Sequence, residues 1–89
     1  MRAVLTIVGK DKIGIIAKVS AFLTERRVNI LDISQTILED YFAMIMLVDI
    51  SEATMELANL ADECAELGKG IGMSIHVQQE DIFNAMHSV

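Results

Sequence analysis

Proline and tryptophan are absent from this chain, cysteine occurs once, and aromatic residues make up only 4% of its 89 positions. With no proline and no low-complexity stretch, nothing in the sequence marks an internal linker. The lone Cys64 excludes an intramolecular disulfide and any paired-cysteine metal or redox motif, and it suits a reducing cytoplasm. Scarce aromatics leave almost no platform for stacking nucleobases. Cations are in short supply too: seven Lys and Arg against 13 Asp and Glu give a net charge of −6, which repels a phosphate backbone and argues against direct nucleic-acid binding. Long apolar runs are also missing. The longest, Ala43 to Val48, falls far short of the roughly 20 residues that span a bilayer. Arg2 to Val8 soon meets Lys10-Asp11-Lys12 and lacks a small-residue cleavage site, so no secretion signal is expected.

Catalytic and metal signatures are equally thin. His76 and His87 are isolated, so no metal site is expected. No Cys–His or Ser–His–acid spacing supports a nucleophilic enzyme. Gly9 and Gly14 end in no Gly-Lys-Ser/Thr, and their spacing misses the dinucleotide fingerprint. No cofactor is implied.

What the chain does have is apolar content: 53% of residues are hydrophobic and the mean hydropathy is +0.45. A single domain over residues 1–89 is expected, and so short a domain buries only roughly 60–65% of its unfolded surface. The surplus apolar surface points to a subunit interface, hence a homodimer or higher homo-oligomer.

Periodicity supplies the elements. Ala3 to Val8 is apolar at nearly every position and reads as a central strand. Ile13 to Arg27 reads as a helix with Ile13, Ile16, Ala17, Ser20 and Leu23 as its apolar stripe, flanked by Val19 and Phe22, and Arg26 and Arg27 in its last turn. Asn29 to Leu38 returns to a period of two, with Ile30 out of phase, which predicts a bulge near Leu31. Glu39-Asp40 turns the chain into a further strand, Tyr41 to Ile50, apolar on both faces. Ser51 or Thr54 is placed to cap a second helix running to about Lys69, with Leu57, Leu60, Ala61, Cys64 and Leu67 inward. Gly68, Gly70 and Gly72 offer left-handed positions to leave it. Met73 to Gln79 reads as a half-exposed edge strand.

The order βαββαβ predicts an α+β, ferredoxin-like sandwich: a four-stranded antiparallel sheet with both main helices on one face. Its core covers about residues 2–79, and a short C-terminal helix covers about 80–88. The first and third strands should be central, the second and fourth edges.

One stretch points to a binding site. An apolar strand, a polar turn over Gly9-Lys10-Asp11-Lys12-Ile13-Gly14, and a helix start present open peptide N–H groups that attract carboxylate or phosphate. Gly14 serves either close packing and an unusual backbone angle or the approach of a ligand. Asp11 either caps the helix or receives an amine, while Lys10 and Lys12 read as solvated loop charges. Asn29 either makes a turn-like bond to its own backbone or offers its amide to a ligand. Polar Asp32, Ser34 and Gln35 guard the edge strand.

The strand, the turn Asp11-Lys12-Ile13-Gly14, the helix and the Val28-Asn29-Ile30 start of the second strand together resemble the ACT domain, a small regulatory module that in many metabolic proteins senses amino acids. Asp32-Ile33-Ser34-Gln35 and the tail Asp81 to His87 extend the likeness to small stand-alone ACT proteins similar to the glycine-cleavage-system repressor accessory domains. The resemblance implies a ligand held between the turn of one subunit, through Asp11, Lys12, Ile13, Gly14 and Ile15, and Asn29 and Ile30 of its neighbour. It further implies a non-enzymatic, cytoplasmic sensor that binds an amino acid and signals to a regulatory protein partner, with a ligand-free dimerisation scaffold as the alternative.

Overall fold

The computed structural model describes residues 1–10 and 13–87. Its elements follow in the order β1 (Arg2–Gly9), α1 (Ile15–Glu25), β2 (Asn29–Leu38), β3 (Tyr41–Asp49), α2 (Leu57–Ile71), β4 (Met73–Gln79) and α3 (Glu80–His87). The strands form one antiparallel sheet in the order β2-β3-β1-β4, so the all-apolar β1 and β3 are central, as the ferredoxin-like reading requires.

Alternation decides what each strand buries. Ala3, Leu5 and Ile7 of β1 and Phe42, Met44, Met46 and Val48 of β3 point to the helix side and form one core with Ile15, Val19 and Leu23 of α1 and Leu60 and Cys64 of α2. Each large apolar side chain withdrawn this way is worth roughly 1.5–3 kcal/mol. Arg26, at the C-terminal end of α1, ties that helix to the middle of α2. Its Nε donates to Glu63 Oε1 at 2.9 Å, and its guanidinium lies 3.6 Å from the centre of the Phe22 ring.

The opposite sheet face is only partly covered. Val4 is buried although it points away from the core, because α3 packs back over β1 and β4. Arg2 and Glu80 pair at 3.0 Å, and the Gln78 amide donates to Met86 Sδ at 3.1 Å, holding the tail helix down.

Several local expectations need correction. The inward stripe of α1 is Ile15, Val19 and Leu23; Ile13, Ile16 and Ala17 face outward. The helix begins at Ile15 behind a left-handed Gly14, so its first turns bury Ile15 and Val19, while Leu23 lies inward as expected. It also ends at Glu25, so Arg26 caps it and Arg27 lies beyond. Neither Ser51 nor Thr54 caps α2, whose first residue is Leu57 with an extended Glu56 before it. The Ser51 hydroxyl is occupied instead, donating to Asp49 Oδ1 at 2.6 Å and accepting from the N-terminal ammonium at 2.9 Å. Thr54 N–H donates to the Arg26 carbonyl at 3.0 Å, tying this loop to the end of α1. Of the three glycines near the end of α2 only Gly72 is left-handed; Gly68 and Gly70 lie inside the helix. The expected bulge in β2 is present, where the register shifts between Ile30 and Asp32.

Candidate functional site

The two sequence-inferred walls lie far apart in a single chain. Asp11 and Lys12 fall outside the described residues. The rest of the turn leads into α1 from the Gly9 end of β1, where Gly9 pairs with Phe42. Asn29 pairs with Asp49, which in turn pairs with Arg2 at the other end of β1. The strand between, Arg2–Gly9, puts about 23 Å between these ends at roughly 3.3 Å per residue. One molecule cannot close both walls on one small ligand.

At the turn, Gly14 has φ 73° and ψ 3°, a left-handed geometry that an L side chain adopts only with strain. No atom comes within 4 Å of where a Cβ would stand, so the backbone there is open to approach. Gly14 carbonyl accepts the first helical bond from Lys18 N–H at 3.0 Å. Among the described residues no side chain caps this helix start and no acidic residue occupies its first turn, where roughly half a positive charge of helix dipole gathers. Ile13 is 83% exposed, while Ile15 is turned into the core and can offer a ligand only its backbone. Lys10 Nζ sits 5.6 Å from the Tyr41 ring centre beside the β2–β3 turn.

At the other end, Asn29 and Ile30 line a groove of about 500 Å³ with Thr24, Arg27, Val28 and Glu52. A smaller hollow of about 220 Å³ continues it past Arg27, Asn29 and Glu52 to Asp49 and Ser51. Arg27 and Glu52 went unnoticed in the sequence. Arg27 stood next to Asn29 as a helix-end charge, and Glu52 comes from a loop whose return to the end of α1 no local pattern announces. The Asp49 carboxyl is held below its ordinary value by hydrogen bonds from the Ser51 hydroxyl and then the Ser51 N–H, which keeps that rim anionic. Among the described residues no group of three His, Cys, Asp or Glu side chains is gathered to hold a metal ion.

Between the walls runs the open edge of β2, hydrogen-bonded only to β3. Leu31, Ile33 and Ile37 are exposed along it, and Ile13 and Ile16 add to the uncovered apolar surface. No helix among the described residues is long and apolar enough to cross a membrane.

The ACT domain pattern matches residues 2–78. A UPF0237 protein of Clostridium acetobutylicum is 52% identical over 89 residues, all of both chains. The solved ACT domain protein from Streptococcus pneumoniae superposes with a TM-score of 0.84 at 41% identity, covering 98% of each chain. A structure solved as a glycine cleavage system transcriptional repressor shares the fold, with a TM-score of 0.74 at 23% identity over 86% of this chain and 44% of that one. The chain belongs to the ACT domain family, whose members are generally regulatory modules that bind small molecules.

Proposed function

We propose that this protein is a non-catalytic, cytoplasmic amino-acid sensor that works as a homodimer, or a higher assembly of such dimers, and passes its bound state to a regulatory partner. One observation carries the reading: the two halves of the candidate site lie at opposite ends of β2, whose outer edge is unpaired. If two β2 edges pair antiparallel about a twofold axis, Asn29 of one chain comes beside the Leu38 end of the other. The turn before α1 belongs to that same end, two strand spacings inboard, about 10 Å. Each dimer then holds two composite sites, with the helix start of one chain facing Asn29 and Ile30 of its neighbour. The ligand's carboxylate lies at the exposed N–H groups of α1. Asn29 supplies both a donor and an acceptor to the ligand.

Such a ligand touches both chains, so it favours the bridged arrangement, and occupancy becomes a quaternary signal that a partner protein reads. The experiment is a thermal-shift screen of the proteinogenic amino acids at millimolar concentration, run beside light scattering. A ligand that binds only the native dimer raises its melting temperature. A dimer that no amino acid stabilises identifies the ligand-free scaffold instead, and a stable monomer at micromolar concentration defeats both.

A further inference from the structure

The groove beside Asn29 carries opposite charges that the fold itself leaves unused. Arg27 lines both the larger hollow and its continuation, and so does Glu52. Neither has an ion-pair partner among the described residues, although the neighbouring helix-end cation, Arg26, is paired with Glu63 and Glu25. Arg27 also occupies an unusual backbone position. Its φ is 59°, and it stands at the left-handed residue that ends α1, where its N–H donates to the Thr24 carbonyl at 3.0 Å and Val28 N–H returns to Leu23 at 3.0 Å. Glycine is the residue that this helix ending ordinarily takes. Arg27 is an exposed cation held in a left-handed position against backbone preference, with no ion-pair partner among the described residues, so its charge is free for a ligand in the groove. The bond from Thr54 N–H to the Arg26 carbonyl fixes the loop bearing Glu52 against the same helix end.

We infer that Arg27 and Glu52 form a clamp for a zwitterion, Arg27 taking the carboxylate and Glu52 the ammonium of a free α-amino acid, with Asn29 between them. The assignment rests on the amino-acid reading above and names the groups that select the ligand class. It also gives the groove a reason for its mixed charge: a clamp of one sign would accept any anion or any amine, whereas two opposed charges accept molecules that carry both. The guanidinium and the partner's helix start reach the carboxylate from the two sides of the interface.

The test uses analogues that remove one charge at a time. The amino acid giving the largest thermal shift is compared by calorimetry with its carboxamide, which lacks the carboxylate, and with its 2-hydroxy acid, which lacks the ammonium. In the parent protein each analogue should bind on the order of tenfold more weakly than the free amino acid. Arg27→Gln should reduce the preference against the carboxamide alone, and Glu52→Gln should erase the preference against the 2-hydroxy acid alone, while Arg27→Lys retains the parent's order. If both glutamine variants keep the parent's preferences while still binding the amino acid, the clamp is wrong and the site reading stands. If the parent itself binds no amino acid, both fall together.

Discussion

Gly68 and Gly70 lie two residues apart in α2, and the structure demands opposite outcomes when each is changed to alanine. In an exposed helix the exchange stabilises by about 0.8–1.0 kcal/mol, because glycine has more backbone freedom to lose. Gly70 is exposed with nothing within 4 Å of a new Cβ, so Gly70→Ala should realise about 0.5–1 kcal/mol of this, discounted for its place in the last turn. Gly68 is buried where α2 crosses β4, and a Cβ there would fall well inside contact distance of the Met73 carbonyl oxygen and 3.3 Å from Ile75 Cγ1. A backbone carbonyl held in the β1–β4 ladder cannot step aside as a flexible side chain would. The helix must lift instead, loosening Leu60 and Cys64 from the sheet. Overpacking of this kind costs about 1–3 kcal/mol or more, which outweighs the propensity gain. At about 4–8 °C per kcal/mol for a domain of this size, Gly70→Ala should raise the melting temperature by about 2–8 °C and Gly68→Ala should lower it by a similar amount or more. Circular-dichroism melts at one fixed protein concentration provide the comparison, since the proposed dimerisation would make the midpoint concentration-dependent. A Gly68→Ala protein melting at or above the parent would refute the close helix–sheet approach.

The remaining expectations concern assembly, the site and titration. Ile33→Glu places a charge on the exposed β2 edge, so light scattering should report monomer while circular dichroism stays unchanged. Asn29→Ala should weaken amino-acid binding by about 1–3 kcal/mol by calorimetry, the cost of stranding a polar partner, and Gly14→Leu should abolish binding with secondary structure retained; unchanged affinity in both places the ligand elsewhere. Burial raises the Cys64 thiol from 9.0 to about 11, with nearby Arg26 opposing the shift, so a thiol reagent at pH 8 should modify it only after urea unfolding. The same shift sets a sign: the folded state keeps the proton longer, so this contribution is complete below pH 9 and is lost as pH rises toward about 11. Denaturation midpoints measured across that range check it.

The sheet was legible in the sequence because strand signals are redundant. β1 and β3 are apolar on both faces and became central, and the out-of-phase Ile30 marked the bulge that the register confirms. The helices were read less well, for two physical reasons. A left-handed Gly14 sets where α1 starts, and that backbone angle moves the inward stripe from Ile13, Ile16 and Ala17 to Ile15 and Val19. Ser51, a good capping residue on propensity, is drawn away by Asp49 and the N-terminal ammonium, which only the folded chain brings near. For the candidate site, local sequence marked Gly14 and Asn29 but missed Arg27 and Glu52, because a groove joining a helix end to a distant loop leaves no periodic trace.

The misread stripe of α1 bears on assembly. The helix carries two apolar faces, one through Ile15, Val19 and Leu23, the other through Ile16 and Ala17 with Ile13 exposed just ahead of it, and a helix can present only one to its own sheet. Leaving the second face in water has no structural use in a lone domain of this size, whose buried core is already small. β2 repeats the pattern, with Ile33 and Ile37 exposed although their cross-strand neighbours Met46 and Phe42 are buried. In the proposed dimer the ambiguity in the periodicity and the uncovered surface have one cause: part of the apolar pattern specifies contacts with a second chain. The same contacts are the ones that would carry Asn29 of one molecule to the turn of the other, so in the proposed assembly the completeness of the core and the completeness of the site depend on one event, the pairing of two copies.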